Sequence, residues 1–180
     1  MTEAAKYSAV EQLRDGRQIE IRALRPADKE AMLAAIDRTG AESLYRRFFG
    51  SKRHFSDKEK AFFLNVDFVS HVALVAVAQE DGRNVIVGGG RYVAMRPGEA
   101  ELAFAVIDAY QGHGIGLALM RHLTLFARAG GIKELIAEVL PENIPMLKVF
   151  QKSGLILQTK HHAGVVNVAL SVTNDATKDR

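Results

Sequence analysis

Three glycines between an apolar strand and an amphipathic helix are the residues of this sequence best placed to do chemistry. Gly112, Gly114 and Gly116 lie in the stretch QGHGIG, after apolar residues 102–106 and before a helix beginning near Ile115. A helix N-terminus presents unpaired backbone N–H groups and the positive end of the helix dipole, which together favour phosphate. Glycines let the backbone approach an anion closely because they carry no Cβ. The stretch therefore predicts a phosphate-binding loop.

This loop fits neither of two common glycine motifs. A P-loop requires a Lys-Ser or Lys-Thr pair after its last glycine, and no such pair follows Gly116. The dinucleotide motif G-x-G-x-x-G requires a glycine where this chain has Leu117, or Leu119 if the motif begins at Gly114. The pattern that does fit is Q-x-x-G-x-G, beginning at Gln111.

The elements around the loop predict an α/β (α+β) domain with a mixed, mostly antiparallel sheet. Alternating or β-rich runs predict strands over residues 19–24, 71–77, 85–93, 101–106, 133–140, 155–160 and 165–172. Helices are predicted to begin at Pro26, at the capping box of Ser56 and Glu59, at the glycine loop and at Asn143. The expected fold is a twisted sheet of about six to seven strands flanked by about four helices.

Several boundaries follow from local composition. Residues 1–17 are polar with weak periodicity and are expected to form a flexible N-terminal arm, before a single domain over 18–173 and a polar tail over 174–180. Gly40 is interpreted as the C-cap of the helix that begins at Pro26. The glycines at 88–90 predict a β-bulge or a close approach by another element.

Composition restricts the class of protein without deciding its function. The 180 residues contain no cysteine, which excludes disulfides, cysteine metal sites and cysteine nucleophiles. No apolar run approaches the roughly 20 residues of a membrane span, and the first residues lack the apolar core of a signal peptide. A cytoplasmic protein without membrane association is therefore expected. The net charge of +3 suits an anionic ligand but is also common in proteins without one.

In this glycine-loop motif the chain resembles the GNAT superfamily of N-acetyltransferases, and within it the bacterial protein-lysine acetyltransferase (Pat-like) domains. Four residues match the acetyl-CoA-binding motif of that superfamily at the expected spacing: Val106, Gln111, Gly114 and Gly116. A second pattern, N-x-x-A-x-x-L-Y-x-x-x-G-F, is matched downstream by Asn143, Phe150, Gly154 and Leu155. The resemblance covers roughly residues 19–172.

The resemblance implies an acetyl-CoA-dependent N-acetyltransferase in which an amine attacks the thioester directly, with no metal. The amine is expected to be a protein lysine, with a small-molecule amine as the alternative. The pantetheine arm would pair with the strand at Phe104, Ala105 and Val106, and Asn143 would hydrogen-bond its amides. The pyrophosphate would bind at the loop, whose residues are Gln111, Gly112, His113, Gly114, Ile115, Gly116 and Leu117.

Glu101 is the candidate general base, because the similar lysine acetyltransferase domains place a glutamate with that role at this strand position. An ammonium group must lose a proton before it attacks, and a carboxylate can take that proton directly or through water. Glu99 is the alternative base. The alternative interpretation of Glu101 is a surface glutamate in the turn of residues 98–101, without a chemical role.

Two residues depart from the family pattern. His113 stands where Arg or Lys is usual, so the affinity for CoA is expected to be weaker or to depend on pH. Phe150 stands where many members have the tyrosine that protonates the CoA thiolate, and phenylalanine cannot donate a proton. Water, another residue or stabilisation of the free thiolate would replace it. These departures leave a non-catalytic acyl-CoA-binding or regulatory module as the alternative function.

Two other groups of residues invite a functional interpretation. The basic and aromatic residues 45–54 are best explained as aromatic anchors under a solvated basic face, with a substrate-side loop or a nucleic-acid patch as alternatives. A nucleic-acid partner is not expected, and a homodimer is compatible with the sequence. His161 and His162 are interpreted as a strand-end pair, because no third ligand is spaced to complete a metal site.

Overall fold

The protein forms eight strands and five α-helices in the computed structural model, which describes residues 3–49 and 54–173. The strands are β1 (Ser8–Gln12), β2 (Gln18–Ala23), β3 (His71–Glu80), β4 (Arg83–Arg96), β5 (Glu99–Val106), β6 (Glu134–Val139), β7 (Ile156–His162) and β8 (Val165–Ser171). The helices are α1 (Lys29–Asp37), α2 (Ala41–Phe48), α3 (Asp57–Leu64), α4 (Ile115–Ala129) and α5 (Ile144–Gln151). Short 3₁₀ turns cover Glu3–Lys6, Pro26–Asp28 and Asp108–Tyr110.

All strands belong to one mixed sheet, in the order β1-β2-β3-β4-β5-β6-β8-β7. Every neighbouring pair is antiparallel except β5 and β6, which are parallel. The predicted meander of β3, β4 and β5 is confirmed, and its Asp81-Gly82 turn has the two positive φ values of a tight hairpin. The α/β class is confirmed, with slightly more strands and helices than expected.

The N-terminal stretch differs from the flexible arm that its composition suggested. Ser8–Gln12 forms β1, which pairs with β2 along its whole length. Val10 points away from the core and is 69% exposed, so β1 lacks the apolar alternation by which a strand is recognised in sequence. Backbone pairing and contacts to α4, such as the edge-on packing of Tyr7 against Phe126, hold it instead. Residues 1–2 and the tail at 174–180 lie outside the described residues.

Helix α4 packs on the sheet through the apolar face that its 3.6-residue spacing predicts. Ile115, Leu119, Leu123 and Ala127 are all buried along this face. The close approach predicted at 88–90 is confirmed, because a Cβ on Gly90 would lie 2.6 Å from a Phe104 ring carbon and 2.9 Å from Leu123 Cδ1. No helix in the described part of the chain is long and apolar enough to cross a membrane.

Two predicted helix ends have different outcomes. The capping box of α3 is confirmed, with the Ser56 hydroxyl accepting from the Glu59 N–H and the Glu59 carboxylate accepting from the Ser56 N–H. The C-cap prediction for Gly40 is wrong. Helix α1 ends at Asp37, and Gly40 is the N-cap of α2, where its N–H donates to Asp108 Oδ1 at 3.1 Å.

A buried ion pair fixes the crossover from β2 to α1. The Arg22 guanidinium donates to both oxygens of Asp28 at 2.7 and 2.8 Å, and the Arg25 N–H donates to the same carboxylate at 2.7 Å. Burial acts to raise the pKa of Asp28, but these donors outweigh it and hold the pKa below its usual range. The pair is a fork-to-fork contact of the kind that fixes geometry as well as charge.

Replacing Asp28 by Asn should lower the free energy of unfolding by about 3 kcal/mol at pH 7, because it leaves the buried Arg22 cation uncompensated. Since the folded-state pKa of Asp28 is depressed, the ion pair contributes above about pH 4 and is lost as pH falls through that folded value. The difference between wild type and Asp28→Asn in urea unfolding should therefore shrink in acid. Asp81→Asn, the same change at an exposed turn, should stay within about 0.5 kcal/mol. An equal effect of both variants would contradict this role for the pair.

Candidate active site

A cleft opens where β5 and β6 separate. Their parallel pairing is limited to residues 99–101 against 134–136. Beyond Glu101 the strands diverge around a cavity of about 490 Å³, within the usual size range of small-molecule sites. Residues 102–106 of β5 line one wall, and the opposite wall includes Val139 of β6, Asn143 and Phe150. In this part of β5 only the edge facing β4 is paired with a strand, so the cleft-side backbone groups other than Val106 O, which accepts from Gln111, are available to a ligand.

The glycine loop lies at one end of the cleft and leads into α4. Gly112 and Gly114 have φ values of 79° and 97°, which residues with a Cβ rarely adopt. Ala118 donates the first α-helical hydrogen bond, to Gly114 O at 3.0 Å. The N–H groups of residues 115–117 therefore have no partner within the helix, as an anion site requires.

The third glycine has a packing role. A Cβ on Gly116 would lie 3.2 Å from Val149 Cγ2 of α5, so a larger residue would press the two helices apart. Gln111 has a positioning role, because its side-chain amide donates to Val106 O and to Ser43 Oγ, both at 3.0 Å. The first residue of the sequence motif thus ties the loop to the end of β5 and to α2.

His113 is the loop residue that is not among those lining the cleft. Its Nδ1 lies 3.2 Å from Asp15 Oδ2, in the turn between β1 and β2. The residue that replaces the usual Arg or Lys of this motif is therefore engaged with a carboxylate from the N-terminal hairpin.

The structure separates the two candidate bases. Glu101 is exposed and lines the cleft at the point where the strands part. Glu99 is not among the residues that line the cleft, and its carboxylate accepts from Arg96 at 2.7 Å. The geometry favours Glu101 over Glu99 as a group that can meet a substrate.

An arginine of α2, Arg47, lies close enough to Glu101 for their charges to interact. Burial lowers the pKa of Arg47 on α2, and the charge of Glu101 acts in the opposite direction. Burial and the charge of Arg47 together lower the pKa of Arg91 to about 10. Arg46 also lines the cleft, and its buried Nε has no hydrogen-bond partner among the described residues. The charge of Arg47 therefore acts on the Glu101 carboxylate, whereas Arg46 is paired with Glu42.

The residues of the second motif form the other wall of the cleft. Asn143 is the N-cap of α5, with its Oδ1 accepting from the Met146 N–H at 3.3 Å, which leaves the amide NH₂ for a ligand. Phe150 is 1% exposed, and its ring centre lies 6.3 Å from that of Phe104. It is a packing residue at the base of the cleft.

In the basic and aromatic segment at residues 45–54, some side chains are aromatic anchors and others line the cleft. Phe48 packs edge-on against Phe55 with ring centres 5.1 Å apart, as an anchor should, while Arg46, Arg47 and Phe49 line the cleft. Residues 50–53 of the segment lie outside the described residues. His161 and His162 are exposed at the end of β7. Across residues 3–49 and 54–173, no group of three or more His, Cys, Asp or Glu side chains is arranged to hold a metal ion.

Fold and cleft together define a class of protein, an α/β domain in which a glycine-rich helix start lies beside two diverging parallel strands. The chain belongs to the Acetyltransferase (GNAT) family, which matches residues 38–155. This confirms the predicted family, and the class of enzyme is that of the N-acetyltransferases.

Individual relatives agree with this assignment. The chain is 36% identical over 127 residues to Acetyltransferase PA5475 of Pseudomonas aeruginosa, covering 70% of this chain and 68% of that protein. It is 33% identical over 165 residues to Acetyltransferase Pat of Mycolicibacterium smegmatis, covering 89% of this chain but 48% of Pat, so it spans about half of that relative. The crystal structure of the GNAT domain of S. lividans PAT has a TM-score of 0.82 at 34% identity, covering 91% and 96% of the two chains.

A pair of glycine variants tests the anion site. Gly112 and Gly82 have φ values of 79° and 75°, and a Cβ on either would meet nothing within 4 Å. Alanine at either position should cost about 1 to 2 kcal/mol of unfolding free energy, because both are held in the left-handed region. Only Gly112→Ala should also weaken coenzyme A binding, by about tenfold in calorimetry, because it displaces the N–H groups that hold the anion. Equal affinities in the two variants would argue against an anion site at this loop.

Proposed function

We propose that the chain transfers an acetyl group from acetyl-CoA to a primary amine, with Glu101 as the general base. The observation that carries the proposal is that Glu101 lies on the strand whose free edge leads to the glycine loop. A carboxylate and a glycine loop suited to phosphate therefore line one cleft. The crystal structure of YncA from Salmonella typhimurium, described with its cofactor acetyl-CoA, has the same fold, with a TM-score of 0.70 at 20% identity over 89% of this chain.

The residues that line the cleft are of the kinds needed to bind acetyl-CoA. The loop N–H groups would hold the pyrophosphate, and the free edge at Phe104, Ala105 and Val106 would pair with the pantetheine amides, helped by the Asn143 NH₂. More cationic than acidic side chains line the cleft, which suits a ligand rich in phosphate. The cationic ones are Arg14, Arg46, Arg47, Lys148 and Lys152, against Glu101 and Glu138. The co-substrate supplies an acetyl group activated as a thioester.

Glu101 would prepare the acceptor. Its carboxylate takes one proton from the ammonium group, directly or through water, and the neutral nitrogen then attacks the thioester carbonyl. The C–N bond forms, the C–S bond breaks, and the second nitrogen-bound proton passes to the thiolate or to solvent. The charge of Arg47 would lower the pKa of an ammonium group beside Glu101, which favours the reactive neutral form.

Phe150 cannot protonate the thiolate of the departing CoA. A buried phenyl ring offers no proton, so the thiolate is either protonated by water or another residue, or released as the anion. This departure, together with His113, motivates the second candidate function, a module of the same fold that binds acyl-CoA without turnover.

A protein lysine is the acceptor that we favour. The resemblance to Pat-like domains supports it, as does Phe49, which lines the cleft and remains 43% exposed. An exposed aromatic side chain beside Arg46 offers a contact surface to a polypeptide acceptor. The test is the release of free CoA from acetyl-CoA with lysine-containing proteins, lysine peptides and small amines in parallel. Turnover confined to small amines would overturn the protein-lysine proposal.

Replacing Glu101 by Gln should lower kcat by about 10² to 10⁴, because the acceptor ammonium would lose its base, while the Kd for coenzyme A changes less than about twofold. Glu99→Gln is the matched control, since it removes the same charge two residues away on the same strand, and it should keep kcat within about threefold. The measurement is CoA release against pH, with coenzyme A affinity from calorimetry. If the Glu101→Gln variant has the same kcat as wild type, Glu101 is not the general base. Binding of coenzyme A without turnover of any acceptor by wild type would favour the non-catalytic module.

A further inference from the structure

The turn between β1 and β2 packs against the glycine loop, although the two are about a hundred residues apart in sequence. Leu13 and Arg17 close the turn through a hydrogen bond from the Leu13 N–H to Arg17 O at 2.7 Å, and Leu13 itself is buried in the core. Arg17 stacks over the ring of Tyr110, with its guanidinium carbon 4.6 Å from the ring centre. The turn is therefore held in a defined position beside the start of α4.

Asp15 organises the charges of this turn. Its carboxylate accepts from the Arg17 side chain at 2.8 Å and from the Arg17 N–H at 3.1 Å, and it lies 3.2 Å from His113 Nδ1. The hydrogen bonds from Arg17 hold the pKa of Asp15 below its usual range, so the carboxylate stays ionised. Arg17 and His113 are thus both engaged by Asp15, and neither is left as a free cation for an anion in the loop.

Arg14 is the cation of the turn that remains available. It is exposed and lines the cleft, and its Nε lies 4.0 Å from the position that a Cβ on Gly114 would occupy. Within the part of the chain that the structure describes, its guanidinium has no hydrogen bond or ion pair. Gly114 is the N-cap of α4, so this guanidinium stands beside the N–H groups that form the anion site.

We propose that Arg14, contributed by the N-terminal hairpin, binds the pyrophosphate of coenzyme A and supplies the permanent charge that His113 does not provide. The proposal rests on the proposed function, because it assumes that the glycine loop holds this pyrophosphate. A guanidinium suits the role, since its planar donors match phosphate oxygens. The hairpin that composition presents as an arm then becomes part of the binding site.

Arg14→Ala should weaken binding of coenzyme A by about tenfold, the effect of one lost hydrogen-bonded charge contact. The variant should weaken 3′-dephospho-CoA by the same factor, because that ligand retains the pyrophosphate, and it should leave the weak binding of pantetheine unchanged. Arg83→Ala, which removes the same charge at the exposed first residue of β4, is the matched control and should bind all three ligands as wild type does. Calorimetry gives the affinities, and thermal unfolding verifies that both variants fold.

The outcomes separate this proposal from the function on which it rests. Failure of wild type to bind coenzyme A would overturn both. Binding by wild type with equal affinity in Arg14→Ala would overturn the role of Arg14 alone. A loss confined to coenzyme A, with dephospho-CoA unaffected, would place the contact at the 3′-phosphate and contradict the pyrophosphate assignment. A parallel loss for pantetheine would show a structural effect on the cleft instead of a phosphate contact.

Discussion

The limited pairing between β5 and β6 is the constraint on which the rest of the site depends. Two parallel strands that paired along their full length would leave no cleft and no free backbone between them. Here three residues of each strand pair, and the outer neighbours β4 and β8 keep the strands in the sheet beyond that point. The unpaired inner edge of β5 needs hydrogen-bond partners from water or a ligand, and the amides of an extended molecule satisfy it in the way a neighbouring strand would.

Helix α4 connects this gap to the core. Its buried face packs on the sheet, with Gly90 allowing the close contact, and its N-terminus therefore cannot move independently of the core. Gln111 ties the preceding loop to Val106 at the end of β5. The six residues from Glu101 to Val106 span about 17 Å of extended chain, so a ligand that uses both ends of the cleft must have a long arm between its anionic and reactive groups.

Much of this architecture can be predicted from local sequence patterns. The period-2 strands, the 3.6-residue face of α4, the Asp81-Gly82 hairpin and the capping box of Ser56 each depend on residues a few positions apart. The glycine loop is of the same kind, because Gly112 and Gly114 adopt φ values that glycine alone adopts without strain. Strand β1 and the N-cap position of Gly40 differ from the predictions because both depend on contacts with residues far away in the sequence. β1 is held by pairing with β2 and by contacts to α4, and Gly40 by Asp108, a residue from a distant part of the chain.

The sequence by itself determined the family and predicted a phosphate loop and two candidate bases, since each rests on residue type and short spacing. Only the tertiary structure separated Glu101 in the cleft from Glu99 paired with Arg96, because both lie on the same strand and differ in what packs beside them. It alone placed Arg47 next to Glu101 and Arg14 next to Gly114. Each of these pairs joins segments more than fifty residues apart. Such contacts cannot be predicted from local sequence patterns, because they depend on which distant side chains the folded sheet brings together.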